Sequence, residues 1–98
     1  TGSEIVARTD RGIRSPADLR GKRIGYSPGT SSPYYLYSFL LTHDIRRNDV
    51  TAVPLAPARQ VDAVVAGEVD AVSAFDIYAF PAKQRMGGTA VAWRSASA

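Results

Sequence analysis

Lys22-Arg23-Ile24-Gly25-Tyr26-Ser27-Pro28-Gly29-Thr30-Ser31-Ser32-Pro33, running on into Tyr34-Tyr35-Leu36-Tyr37-Ser38-Phe39-Leu40-Leu41, decides the fold. Arg23 to Ser27 reads as a buried strand, and Pro28 to Ser32 as a tight glycine loop rich in hydroxyls. Ser32 is placed as N-cap and Pro33 at the first position of a helix running to His43. Leu36, Phe39 and Leu40 recur at helical spacing and should enter the core; His43 reads as a surface or cap residue. A strand, a loop and a helix start in that order make a site for an anion's oxygens. The first-turn N–H groups have no helical partner, and the helix dipole is positive there.

Upstream, Glu4 to Arg8 is a short strand, Thr9 to Gly12 a turn, and Ser15-Pro16-Ala17-Asp18-Leu19-Arg20-Gly21 a compact helix. Ser15 caps it, Pro16 opens it, Asp18 sits in its acid-favoured first turn and Gly21 closes it. Downstream, Asp44 to Asp49 is a loop and Val50 to Leu55 a strand that Pro54 confines to a sheet edge or to its own end. A helix over 58–66 follows, with Val61, Val64 and Val65 inward and Gly67 as a left-handed cap. Val69 to Phe75 is a strand apolar enough to be buried on both faces. Tyr78 to Met86 is a fourth helix closed by Gly87-Gly88, Thr89 to Trp93 a last strand, and Ser95 to Ala98 a tail. Alternating strands and helices predict a three-layer α/β domain, with a mostly parallel sheet between helices.

The 98 residues, 45% hydrophobic and 21% charged, suit one globular domain. No apolar run is long enough to span a bilayer, and Thr1-Gly2-Ser3-Glu4 lacks the basic start of a signal peptide. There is no cysteine, which removes disulfides, thiolate metal sites and a cysteine nucleophile. The net charge is +3, but the arginines are spread along the chain and mixed with acids. They read as a solvated mixed-charge surface, with no nucleic acid partner.

In an open α/β sheet, ligands sit beyond the carboxyl ends of the strands. That rule selects Gly29-Thr30-Ser31-Ser32 after the second strand, Arg59 after the third and Asp76 after the fourth. Thr30, Ser31 and Ser32 would donate to anion oxygens, Asp76 would accept from a ligand donor, and Arg59 would add charge if turned inward. Each also has a plain structural role: Ser32 as a cap, Asp76 as a turn-former, Arg59 as a solvated side chain. The loop lacks the Gly-Lys-Ser/Thr ending of a P-loop and the spaced glycines of a dinucleotide fingerprint. No acid/base pair, metal-ligand spacing or Ser-His-Asp set is present, so no catalytic residue, metal or cofactor is assigned.

Several phrases, in this order, resemble the second lobe of periplasmic substrate-binding proteins of ABC importers. They are Asp18-Leu19-Arg20-Gly21-Lys22-Arg23-Ile24, Pro28-Gly29-Thr30-Ser31, Ala66-Gly67-Glu68-Val69-Asp70-Ala71 and Phe75-Asp76-Ile77-Tyr78. The branch is the one capturing aliphatic sulfonates, taurine, nitrate and thiamine-pyrimidine precursors. The resemblance covers about Ile5 to Trp93 and implies one lobe of a type II periplasmic-binding-protein fold. That lobe is inserted in the other, so its two ends should lie together at a hinge. It implies a small anionic or zwitterionic solute, a missing first lobe, an ABC permease, and a periplasmic or lipid-anchored extracytoplasmic location. Gly29, Thr30 and Ser31 match the family's Gly-Thr loop. Phe75, Asp76 and Ile77 match its Trp-Asp-Pro-like segment, with Phe75 in place of tryptophan and Ile77 in place of proline. The isolated lobe should bind solute weakly and could pair with itself through its open cleft face. Two alternatives stay open: an enzyme on the same fold, resembling a thiamine-pyrimidine synthase, and an effector-sensing lobe of a regulator.

Overall fold

A computed structural model of the chain describes residues 2–95. Five strands form one sheet: β1 (Ser3–Arg8), β2 (Arg23–Tyr26), β3 (Thr51–Pro54), β4 (Ala71–Phe75) and β5 (Ala90–Arg94), in the order β3-β2-β4-β1-β5. β2 is parallel to β3 and β4, whereas β1 is antiparallel to both β4 and β5. Four strands therefore point one way, and β1 alone opposes them, which makes the sheet mixed. The reason lies in residues 9–22, which hold only 3₁₀ turns at Thr9–Arg11 and Pro16–Leu19. A parallel return needs a crossover element, usually a helix. Without one, β2 starts at the edge where β1 ends.

The helices are α1 (Ser32–Thr42), α2 (Arg59–Ala66) and α3 (Asp76–Met86). Side chains alternate across the sheet with period two, which splits the core. Ile5, Ala7, Ile24 and Ala71 meet Leu36, Phe39 and Leu40 of α1 on one face. Val6, Val72 and Ala74 meet Ala63 and Val64 of α2 and Ala79, Ala82 and Met86 of α3 on the other. Each fully buried Val, Leu or Ile contributes about 1.5–3 kcal/mol. β4 is central and buried on both faces from Ala71 to Ala74, as its composition predicts. β3 lies at the edge and ends on Pro54, whose missing N–H excludes it from a central ladder. Gly25 is required by close approach: a Cβ there would sit 2.7 Å from Leu55 Cδ1 and 3.1 Å from Val72 Cγ1.

Most element boundaries shift by one or two residues from the sequence reading, and three departures bear on the site. The helix expected over 15–21 is a single 3₁₀ turn, because Gly21 takes a left-handed φ of 78° two residues after it. Ser32 is the first helical residue of α1 rather than its cap; Ser31 holds the cap position, without a side-chain cap bond. α3 begins at Asp76, two residues before the expected Tyr78, because an acid in the first turn suits the positive helix end. Pro81 falls inside the helix. Gly67 caps α2 in the left-handed region, as expected, with φ 80°. Of the expected tail, Ser95 extends the pairing with Ser3, and residues 96–98 lie outside the described residues.

Candidate functional site

The carboxyl ends of β2, β3 and β4 and the first residues of α1, α2 and α3 gather at one edge of the sheet. Because β1 is reversed, its start lies there too, and so does the end of β5. The start of β1 and the residue after β5 therefore meet: the Ser95 N–H donates to the Ser3 carbonyl at 2.9 Å, and Ser95 Oγ donates to Ser3 Oγ at 3.0 Å.

The loop from Ser27 to Ser31 leads from β2 into α1 at this edge. Gly29 turns it with a left-handed φ of 80°, open to solvent. Thr30 Oγ1 donates to the Ser27 carbonyl at 2.6 Å and accepts the Ser32 N–H at 3.0 Å, so this hydroxyl shapes the loop. Ser32 is buried; its Oγ accepts the Ser27 N–H at 3.1 Å and donates to the Ser73 carbonyl at 3.0 Å. Ser73 Oγ donates back to the Ser32 carbonyl at 3.3 Å, and Gln60 Nε2 donates to the Ser73 carbonyl at 2.9 Å. Ser27, Ser32, Ser73 and Gln60 thus lock the loop to β4 and α2. Among the described residues, the N–H groups of Gly29, Thr30, Ser31 and Tyr34 donate to nothing. Ser27 Oγ is the buried side-chain oxygen there without a partner. Ser31 is exposed.

Beside the loop, Tyr35 meets Phe75 edge-to-face at 6.3 Å between ring centroids and Tyr34 at 5.5 Å. A recess of about 240 Å³ opens between Gly2, Phe75, Asp76 and Ile77. Asp76 closes the chain ends together: Oδ2 accepts the Gly2 N–H at 3.2 Å and Oδ1 faces Arg94 Nη1 at 3.1 Å. The same Arg94 nitrogen lies 3.2 Å from Glu4, whose other oxygen takes Lys83 Nζ at 2.8 Å. Arg59 stands at the start of α2, but its guanidinium pairs with Glu68 at 3.0 Å. His43 is exposed at the far end of α1, against the Phe39 ring, away from this edge.

Gly29, Thr30, Ser31, Ser32 and Asp76 therefore share one edge, with Ser32 facing inward and Asp76 engaged by Arg94. Four further residues went unread in the sequence. Ser73 carried a signal, as a polar residue between Val72 and Ala74, whereas Gln60, with Arg59 and Asp62 beside it, carried little. Arg94 and Gly2 carried none, because only tertiary folding brings them to Asp76. Among the described residues, no helix is long and apolar enough to cross a membrane. Nor does any group of three or more His, Cys, Asp or Glu side chains gather there to hold a metal.

A mixed five-stranded sheet between helices, with its loops and both chain ends at the carboxyl edge, defines a type II periplasmic-binding-protein domain. The NMT1/THI5-like family model matches residues 1–90, and the chain belongs to that family. No curated protein matches the sequence. The alkanesulfonate-binding protein SsuA from Xanthomonas axonopodis pv. citri, solved bound to MOPS, is 29% identical with a TM-score of 0.81. That match covers 96% of this chain and 32% of that one. The periplasmic aliphatic sulphonate binding protein SsuA from Escherichia coli is 27% identical with a TM-score of 0.79, over 92% of this chain and 30% of that one. An ancestral arginine-binding protein bound to arginine shares the fold at 22% identity and a TM-score of 0.65, over 93% of this chain and 39% of that one. The chain is thus related to sulfonate-binding transport proteins, and it spans about a third of the length of the two SsuA proteins.

Proposed function

We propose that this chain is the inserted second lobe of an ABC-importer solute-binding protein, and that its carboxyl edge is half of a site for a small sulfonate-like anion. The observation that carries the proposal is the set of free N–H groups at Gly29, Thr30, Ser31 and Tyr34, ordered beside the unpartnered Ser27 hydroxyl. Donors already fixed by the Ser32–Ser73–Gln60 lock need no reorganisation when an anion arrives. Gly29, Thr30 and Ser31 present backbone N–H groups, and the Ser31 hydroxyl adds a donor. Thr30 Oγ1 and Ser32 Oγ act by holding the loop. Asp76 and Arg94 form a charged pair at the rim, where a zwitterion's amine would compete with Arg94 for the carboxylate. Arg59 adds positive field at the same edge and reaches the ligand only by leaving Glu68.

The missing first lobe would cover the edge. Tyr34, Ile77 and Phe80 stay 69%, 74% and 61% exposed, an apolar surface around the start of α1 and α3 that a second lobe suits. In its absence, a second copy of the chain is the expected substitute. The whole protein would work outside the cytoplasm and deliver solute to a permease. The role is binding rather than catalysis: the solved SsuA relatives are binding proteins, and His43 lies away from the loop. A thermal-shift screen of the two-lobed parent against alkanesulfonates, taurine, nitrate and arginine tests the class. Stabilisation by a sulfonate supports the reading; stabilisation by arginine alone overturns it.

A further inference from the structure

The whole +3 charge falls in the first half of the sequence, and the fold gathers it at one edge. Residues 8–23 and 44–49, with Asp70, hold eight of the twelve Lys and Arg residues and five of the nine Asp and Glu residues. These segments connect at the amino edge of β2, β3 and β4, opposite the loop described above: the Gly21 N–H donates to the Asp49 carbonyl at 2.6 Å, and Arg20 Nη2 to the Asp44 carbonyl at 2.7 Å. Elsewhere Arg59, Lys83, Arg85 and Arg94 are each paired with an acid, so the rest of the chain is neutral. At the amino edge only Arg8 and Arg11 have carboxylate partners among the described residues. Arg14, Arg20, Lys22, Arg23, Arg46 and Arg47 have none. Asp18 and Asp49 are occupied by backbone N–H groups of Arg14, Ser15 and Arg46.

An open groove of about 550 Å³ runs along this edge between Leu41, Ile45 and Arg46 to Asn48. Leu41 projects from it, 72% exposed. Arg47 lies over the Tyr37 ring at 4.2 Å from the centroid. A projecting aliphatic side chain flanked by unpaired cations is the chemistry of a lipid interface, where charge draws the protein to anionic headgroups and a short apolar reach adds burial. A single-stranded nucleic acid would want a free aromatic face for stacking, and Arg47 covers the one here. A second copy would bring the same positive edge and be repelled.

We infer that the amino edge, where Arg46 and Arg47 line a groove with Leu41 and Arg20, Lys22 and Arg23 add charge on the same edge, is a peripheral docking surface for an anionic phospholipid bilayer. It leaves the solute edge at the opposite end free, and it stands independently of what that edge binds. The test is co-sedimentation of the 98-residue chain with phosphatidylcholine vesicles and with vesicles half phosphatidylglycerol, at low and at physiological salt. The chain should partition onto the anionic vesicles only, and less as salt rises. Arg46→Gln with Arg47→Gln should weaken that partitioning by about tenfold or more, and Leu41→Ser should weaken it with the salt dependence kept. Circular dichroism confirms that the variants fold. Absence of binding, equal binding to neutral vesicles, an unaffected double variant, or tighter binding to an oligonucleotide or an acidic peptide would each overturn the proposal.

Discussion

Ser32 Oγ serves Ser27 and Ser73 at once inside the fold. Ser32→Ala strands the Ser27 N–H in a buried place, and an orphaned buried donor costs about 1–3 kcal/mol. Urea unfolding of the isolated chain should show a loss of that size, with no change in slope. Ser27→Ala removes a hydroxyl that has no partner, so its effect on stability should stay within about 1 kcal/mol of zero. In the two-lobed parent the same substitution should weaken solute binding. The contrast separates a serine whose hydroxyl holds the loop from one whose buried hydroxyl has no partner in the lobe. Gly25→Ala should destabilise by about 1 kcal/mol, the overpacking against Val72 outweighing the gain from leaving glycine. The loop residues were legible because Pro28, Gly29 and Pro33 punctuate the chain so strongly. The direction of each hydroxyl was not, since it depends on β4, which arrives about forty residues later.

Among the elements, the 3₁₀ turn at Pro16–Leu19 rests on Asp18. Its Oδ2 accepts N–H groups from Arg14 at 2.9 Å and from Ser15 at 3.1 Å. These bonds, Arg14's first, hold the carboxyl below the usual carboxylate range. A lowered folded-state pKa gives stability that is complete above the unfolded value, about 3.9, and is lost as pH falls through the folded one. Asp18→Asn should therefore lower the thermal midpoint at neutral pH and leave it falling less steeply below about pH 4. A variant as acid-sensitive as the parent would remove that role. Strand and helix order was readable because proline, glycine and serine punctuate the element ends, as at Ser32-Pro33, Gly67 and Gly87-Gly88. The reversal of β1 was not, because sequence marks a strand without its direction. The early start of α3 was also hidden, since Phe75 and Asp76 suit both a strand end and a helix cap.

As a whole molecule, the chain is proposed to form one wall of a clamp. With a single wall, each hydrogen bond to an anion competes with water and is worth about 0.5–1.5 kcal/mol net. The 98-residue chain should bind sulfonates too weakly for calorimetry to detect, and light scattering should find it dimeric at high concentration through the face around Tyr34, Ile77 and Phe80. A clean monomer would show that this face is not sticky. Family phrases spread along the chain made the lobe legible. The gathering of net charge at one edge was not, because residues 8–23 and 44–49 meet only when β2 and β3 pair. The most direct measurement is calorimetric titration of an alkanesulfonate into the two-lobed parent and its Ser31→Pro variant. Ser31 has φ −78°, which proline accepts, and its N–H donates to nothing among the described residues. The variant should keep its thermal midpoint and lose about a hundredfold in affinity, because proline removes both the Ser31 N–H and the Ser31 hydroxyl, two charge-assisted donors. Unchanged affinity in a folded variant would contradict the account.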